Sequence, residues 1–327
     1  MDVRNHLIPR LGQIRIDKLT TYEVQRFVND LAEAGRKDPS EDDPKGLSPR
    51  SVRNAYATLR KALNIATSWN LVRENVALGV ELPKAKKPRI RALTAAEARA
   101  LLDEVRGERF EALYWMALML GLRQGELLAL RWNDIDFDAG TVRVQGAVQR
   151  QNQKEGKSKL VFVDTKTEQG QRQLPLLPPL PGILQAHRDH QDVERAVEGW
   201  DEHSLIFPNE IGRAVEAQNL VNRSFKPALQ RAKLPDINFH ALRHTTVSLL
   251  ISSGFDPSTA SYIAGHASAA FTVGTYGHAM PESVKAGIAK MGELLKSDRV
   301  LELPPRREAV RRYVKGELWR HLWRHHA

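Results

Sequence analysis

Cysteine is absent from the 327-residue chain. That excludes disulfide cross-links, thiolate zinc sites and a cysteine nucleophile, and it is compatible with a reducing cytoplasm. No apolar run approaches the roughly 20 residues that a membrane-spanning helix needs. The opening Met1-Asp2-Val3-Arg4-Asn5-His6 has no signal-peptide core, and the sequence has no internal repeat. Acidic residues are in deficit: 39 Asp and Glu face 49 Lys and Arg, a formal net charge of +10. A chain this basic suits a polyanionic partner, though charge alone leaves an indifferent basic surface open. What is present is enough apolar material for real cores, 42% of residues, in a length that fits two domains better than one.

Residues 1–82 read as a small helical unit. Thr20 or Thr21 caps a helix whose apolar residues are Val24, Phe27, Val28 and Leu31. A polar loop over 35–47 holds two prolines and two glycines. Ser48 then caps a second helix with Pro49 at its first position. On that helix Val52, Tyr56, Leu59, Leu63 and Ala66 share one face, and Arg50, Arg53, Arg60 and Lys61 lie on another. The stretch 45–87 has nine basic and two acidic residues. The charged face is a DNA-binding candidate, with a plain solvated face as the alternative. Residues 83–91 form a basic linker, with Lys84, Lys86 and Lys87 placed to lie along phosphates or simply to keep a hinge in solution.

A larger unit spans 92–297. It opens with a capping box, Thr94-Ala95-Ala96-Glu97, and an apolar helix over 108–120 ends at Gly121. Strands are expected at Thr141–Gln145, at Leu160–Val163 beyond a polar separator over 149–159, and around Arg172–Leu176, the last pairing with 160–163. Helical signals resume from Phe239 to Lys296. The expected fold is mainly α with a small antiparallel sheet. A basic tail over 298–327 follows.

Several motifs stand in order along this unit. Gly121-Leu122-Arg123-Gln124-Gly125-Glu126 comes first, followed by Thr165-Lys166-Thr167 in the strand-rich middle. His240-Ala241-Leu242-Arg243-His244-Thr245 opens a helix, Gly265-His266 follows a short one, and Tyr276 comes ten residues after His266. Together these resemble the tyrosine recombinases, most of all phage-type integrases, from about residue 7 to about residue 290. Ala264 departs from the leucine usual before the Gly-His pair. The resemblance implies a two-domain DNA clamp, a helical core-binding domain over 1–82 plus the tyrosine recombinase catalytic domain over 92–297. It makes Arg123, Lys166, His240, Arg243 and His266 the active site, Tyr276 the nucleophile and Glu126 a support for Arg123. It also implies a site-specific recombinase of phage or mobile-element type, acting on DNA in the bacterial cytoplasm without cofactor, metal or ATP. The implied partners are double-stranded attachment sites, a homotetramer on paired sites and accessory DNA-bending or directionality factors, with no membrane. Because the chain begins inside what resembles the first core-binding helix, that domain is expected to be N-terminally truncated, with no arm-site recognition.

The chemistry suits these residue types. Two guanidinium groups, always charged and forked, can clamp the non-bridging oxygens of a phosphodiester. A tyrosine that attacks phosphorus leaves a phosphotyrosine ester, which conserves the bond for rejoining. A lysine can protonate the departing 5′-oxygen, with Lys154, Lys157 and Lys159 as rivals to Lys166 for that part. Duller roles stay open for each: Arg123 could bond helix carbonyls or pair with Glu126, and Tyr276 could merely pack its ring. Two functional alternatives also stand, a type IB topoisomerase-like strand relaxation and a catalytically silent DNA-binding remnant. His240 and His244 have the i, i+4 spacing of zincins, but Ala241 replaces the glutamate such a site needs. After Pro281, the stripe Val284, Ile288, Met291 and Leu295 is expected to dock on a neighbouring protomer, with packing on its own domain as the alternative.

Overall fold

A computed structural model of the chain describes residues 3–35, 46–84, 91–152, 158–164, 171–195, 200–201, 203–265 and 282–296. The chain divides into two compact units, Met1–Arg89 and Ile90–Ala327.

The first unit is built on helices. A short turn, α1 (Ile8–Leu11), precedes α2 (Thr21–Ala34) and the long α3 (Pro49–Ser68). Thr20 is the cap of α2: its hydroxyl accepts from the Glu23 N–H, and Glu23 Oε2 accepts from the Thr20 N–H at 2.7 Å. Ser48 accepts from the Ser51 N–H to cap α3, with Pro49 at its first turn. Val24, Phe27, Val28 and Leu31 of α2 pack with Val52, Ala55, Tyr56, Leu59 and Leu63 of α3 into one buried cluster. The Tyr56 hydroxyl donates to the Ala77 carbonyl at 2.6 Å, closing the following segment over that cluster. Arg50, Arg53, Arg60 and Lys61 are all exposed, as the amphipathic pattern requires.

The second unit surrounds one fully buried helix. After α4 (Ala95–Glu104), capped by Thr94 and Glu97, comes α5 (Glu111–Leu120), whose residues from Ala112 onward are all buried. Gly121 ends α5 at φ +59°, a left-handed turn that an L side chain resists. Then follow α6 (Gln124–Ala129), β1 (Ile135–Asp136), β2 (Thr141–Val144), β3 (Gly146–Asn152), β4 (Ser158–Asp164), β5 (Arg172–Pro175) and α7 (Leu180–Arg195). Further α-helices among the described residues are α8 (Ala217–Leu220), α9 (Lys226–Arg231), α10 (His240–Ser252), α11 (Pro257–Ala264) and α12 (Glu282–Leu295).

The sheet differs from the sequence expectation in two ways. Within the expected separator, residues 149–152 and 158–159 are strand, because β3 runs through Asn152 and pairs antiparallel with β4, setting Val148 opposite Phe162. Nor does β5 join β4; it pairs antiparallel with β2, with Val142 opposite Leu174 and Val144 opposite Arg172. The described strands thus make a three-stranded sheet ordered β1-β2-β5 and a separate two-stranded ribbon. Burial explains the choice. Val142, Val144 and Leu174 are wholly buried, so β5 completes a common inward face with β2. No residue of β4 is fully buried, so it offers no such face.

The α12 stripe also resolves against the expectation. Val284, Ile288, Met291 and Leu295 are buried within their own unit, where α12 packs on α4, α5, α10 and α11. Four buried side chains of this size contribute roughly 6–12 kcal/mol of gross hydrophobic stabilisation. Arg99 of α4 adds a 3.0 Å hydrogen bond to the Leu294 carbonyl at the helix end. Among the described residues no helix is long and apolar enough to cross a membrane.

Candidate active site

The site is assembled where α5 ends. Because Gly121 turns left-handed, the chain reverses sharply and Arg123 emerges extended, at φ −69° and ψ 148°, as the residue before α6. Glu126, one turn into α6, folds back. Its Oε2 accepts from the Arg123 backbone N–H at 2.9 Å and its Oε1 from Arg123 Nη1 at 2.7 Å. The other terminal nitrogen, Arg123 Nη2, donates to the Gly265 carbonyl at 2.7 Å, joining the start of α6 to the end of α11. The Arg123 side chain remains 43% exposed. The Glu126 salt bridge offered from the sequence is present, the carbonyl that Arg123 meets belongs to the end of α11 rather than to α5, and together they leave much of the guanidinium accessible.

Helix α10 is pinned against the same turn. The Thr246 hydroxyl donates to the Leu118 carbonyl at 2.9 Å, and the Thr245 hydroxyl accepts from the Leu93 N–H at 2.9 Å. This registers Arg243, whose Nη1 donates to the Gly121 carbonyl at 2.9 Å. Arg243 is only 1% exposed. Burial, then the neighbouring Arg123 and Arg172, lower its guanidinium to about 9 against the partial relief of Glu126, so it stays charged at neutral pH. His240, at the first turn of α10, is exposed and meets His244 edge to face, with ring centroids 4.9 Å apart. Partial burial, then the positive neighbours His244, Arg243 and Arg123, lower the His240 imidazole below its ordinary value. Neutral imidazole is thereby favoured, able to accept as well as donate a proton.

One participant was not singled out from the sequence. Arg172, at the start of β5, forms a 3.0 Å ion pair with Glu126 Oε2, both side chains only 3% exposed. Burial alone would push the Glu126 carboxyl up, but Arg172 and the hydrogen bonds from both arginines outweigh it and hold the carboxyl below its usual range. A signal was present: Arg172 alternates with Leu174 and Leu176, which places a cation on the inward face of a strand. Arg123, Arg172 and Arg243 against Glu126 leave a surplus of positive charge, built to meet an anion.

Lys166, His266 and Tyr276 lie outside the described residues, as do Lys86 and Lys87 of the linker and the rivals Lys154 and Lys157. Lys84 is described and exposed. Among the described residues no group of three or more His, Cys, Asp or Glu could hold a metal ion.

Residues 91–283 match the sequence profile of the phage integrase family. The chain is 30% identical over 305 residues to an integrase of Streptomyces ambofaciens, covering 90% of this chain and 73% of that protein. Its fold is similar to that of the Tn1549 transposon integrase in complex with transposon right end DNA, with a TM-score of 0.67, 22% identity, and 88% and 90% of the two chains covered. It is also similar to a lambda integrase in a tetramer bound to a Holliday junction, with a TM-score of 0.53, 19% identity, and 81% and 69% covered.

Proposed function

The chain belongs to the phage integrase family, and from that premise we propose that it is a site-specific DNA recombinase that cuts and rejoins strands through a 3′-phosphotyrosine at Tyr276. The observation that carries this reading is the convergence of Arg123, Arg243, His240 and Glu126 at one turn, from stretches more than a hundred residues apart in sequence. Arg123, half-exposed and held at two points, meets a non-bridging oxygen of the scissile phosphate and neutralises charge that builds at phosphorus. Arg243, almost wholly buried beside the same turn, acts first through its field; a direct hydrogen bond from it requires its side chain to be uncovered as DNA docks. His240 donates a hydrogen bond to the phosphate or takes the proton of the attacking phenol. Lys166 protonates the departing 5′-oxygen, and His266 completes the set. The energy of the broken phosphodiester is kept in the tyrosyl ester, so rejoining needs no ATP or metal.

Both the helical unit 1–82 and the catalytic unit 92–297 bind DNA, with Arg50, Arg53, Arg60, Lys61, Lys84, Lys86 and Lys87 on phosphates. Two protomers on each of two paired attachment sites form the working assembly, a reading supported by the tetrameric lambda integrase of similar fold. The protein works on DNA in a bacterial cytoplasm, where DNA-bending or directionality factors join the complex.

The test is a nicked attachment-site duplex that traps the covalent intermediate. The wild-type chain yields a protein–DNA adduct on it, whereas Tyr276→Phe binds the DNA equally and yields none. An adduct from the Phe variant would show that another residue is the nucleophile. Relaxation of plasmids lacking any attachment site would favour the topoisomerase alternative.

A further inference from the structure

We propose that Arg172 is a positioning residue of this site: from the inward face of β5 it fixes Glu126, and through Glu126 the Arg123 guanidinium, against the exit of α11 at Gly265. The inference rests on the recombinase reading above and adds to it a residue that acts through its protein partners.

Arg172 stands opposite Val144 in the ladder, on the side of the sheet that carries the buried Val142 and Leu174. Its side chain is almost wholly enclosed, and both terminal nitrogens are turned to protein acceptors. Its hydrogen bonds run to the two segments that hold Arg123. Arg172 Nη2 donates to Glu126 Oε2 at 3.0 Å, and Nη1 faces Oε1 at 3.5 Å. The same carboxylate takes Arg123 Nη1 at 2.7 Å, so one anion is shared between a buried and a half-exposed guanidinium. On the other side Arg172 Nη2 lies 3.5 Å from the Ala264 carbonyl, next to the Gly265 carbonyl that receives Arg123 Nη2.

Gly265 shows how tightly the three segments close. It sits at φ +68°, and a Cβ there would lie 2.5 Å from Arg172 Nη1 and 2.6 Å from Cζ. The guanidinium therefore occupies the space that any side chain would need. β5, the start of α6 and the exit of α11 meet at a single buried cation. An unrestrained arginine explores many rotamers; fixed at both terminal nitrogens, Arg123 has its orientation set before substrate arrives. A buried pair of this kind adds little net stability compared with apolar packing, which fits a role in geometry rather than in holding the fold.

The experiment compares two versions of the nicked attachment-site duplex in single-turnover adduct formation by the full chain. One carries the natural scissile phosphate. The other carries a methylphosphonate there, in which a methyl group replaces one non-bridging oxygen and removes the negative charge that Arg123 meets. On phosphate, Arg172→Gln is expected to slow adduct formation by about a hundredfold, the scale of an ångström of misplacement. Its DNA affinity should stay within about twofold of wild type, because the Arg172 terminal nitrogens are committed to Glu126 and the Ala264 carbonyl. On methylphosphonate the variant should match wild type measured on the same substrate. Arg172→Lys, which keeps the charge, should recover part of the loss on phosphate. An equal loss on both substrates, or no loss on phosphate, would overturn the proposal. If thermal unfolding shows Arg172→Gln to be unfolded, the same comparison is made with Arg172→Lys. A wild-type chain that forms no adduct on either substrate would overturn the recombinase reading and this proposal with it.

Discussion

Glu126→Gln is the most informative single perturbation of the site's stability. The carboxylate is 3% exposed and serves the backbone and guanidinium of Arg123 as well as the buried guanidinium of Arg172. The amide keeps the shape and one acceptor oxygen, but it removes the charge and points N–H groups at donors. Removing one partner of a buried ion pair costs about 3–5 kcal/mol, because the other charge is left uncompensated. The retained oxygen places the expected loss near the lower end, about 3 kcal/mol. For a unit of this size that corresponds to a fall in Tm of roughly 6–12 °C. The loss should also depend on pH. The folded carboxyl titrates below its ordinary value of 4.5, so its contribution is fully present above that value and fades as pH falls through the lower folded value. Urea unfolding of both proteins from pH 7 down to pH 3 measures this directly. The difference in unfolding free energy should be constant from pH 7 to about pH 5 and then shrink. A difference below about 1 kcal/mol at pH 7, or one unchanged down to pH 3, would refute the idea that Glu126 is a buried, charge-paired carboxylate.

Replacing Arg50, Arg53, Arg60 and Lys61 together by alanine should lower the slope of log affinity against log salt by roughly 3–4, about 0.9 for each phosphate no longer neutralised; an unchanged slope would mean that this face does not meet DNA. A 5′-bridging sulfur at the scissile position leaves without protonation, so it should restore cleavage to Lys166→Ala but not to Arg123→Ala, and failure to restore it would shift the proton donor to Lys154, Lys157 or Lys159. Ile288→Ala should cost about 2–5 kcal/mol by chemical denaturation, because the side chain is wholly buried in its own unit; a cost below about 0.5 kcal/mol would mean that α12 does not pack there in solution.

Sequence alone determined what depends on near neighbours in the chain. The capping box Thr94/Glu97 closes over three residues, and the Ser48-Pro49 start and the left-handed Gly121 stop are equally local, so each was legible as spelled; between Thr20 and Thr21 the structure chose Thr20, through Glu23. The amphipathic split of α3 was legible for the same reason: helical spacing alone puts Val52, Tyr56, Leu59 and Leu63 on the side away from the arginines. The order of the motifs sufficed to suggest the family, since chemistry needs those residue types whatever holds them. Partner choice was beyond such rules. Alternation shows which side of β5 faces inward, but only the burial of Val142 and Val144 decided that it pairs with β2 rather than β4. A stripe on α12 shows that something must cover it, and only the assembled surface of α4, α5, α10 and α11 decided that its own unit does so. Arg172 read as one more charged residue in a short strand. It became part of the site because the fold brings it to a carboxylate 46 positions away, deep enough that neither charge can be left alone.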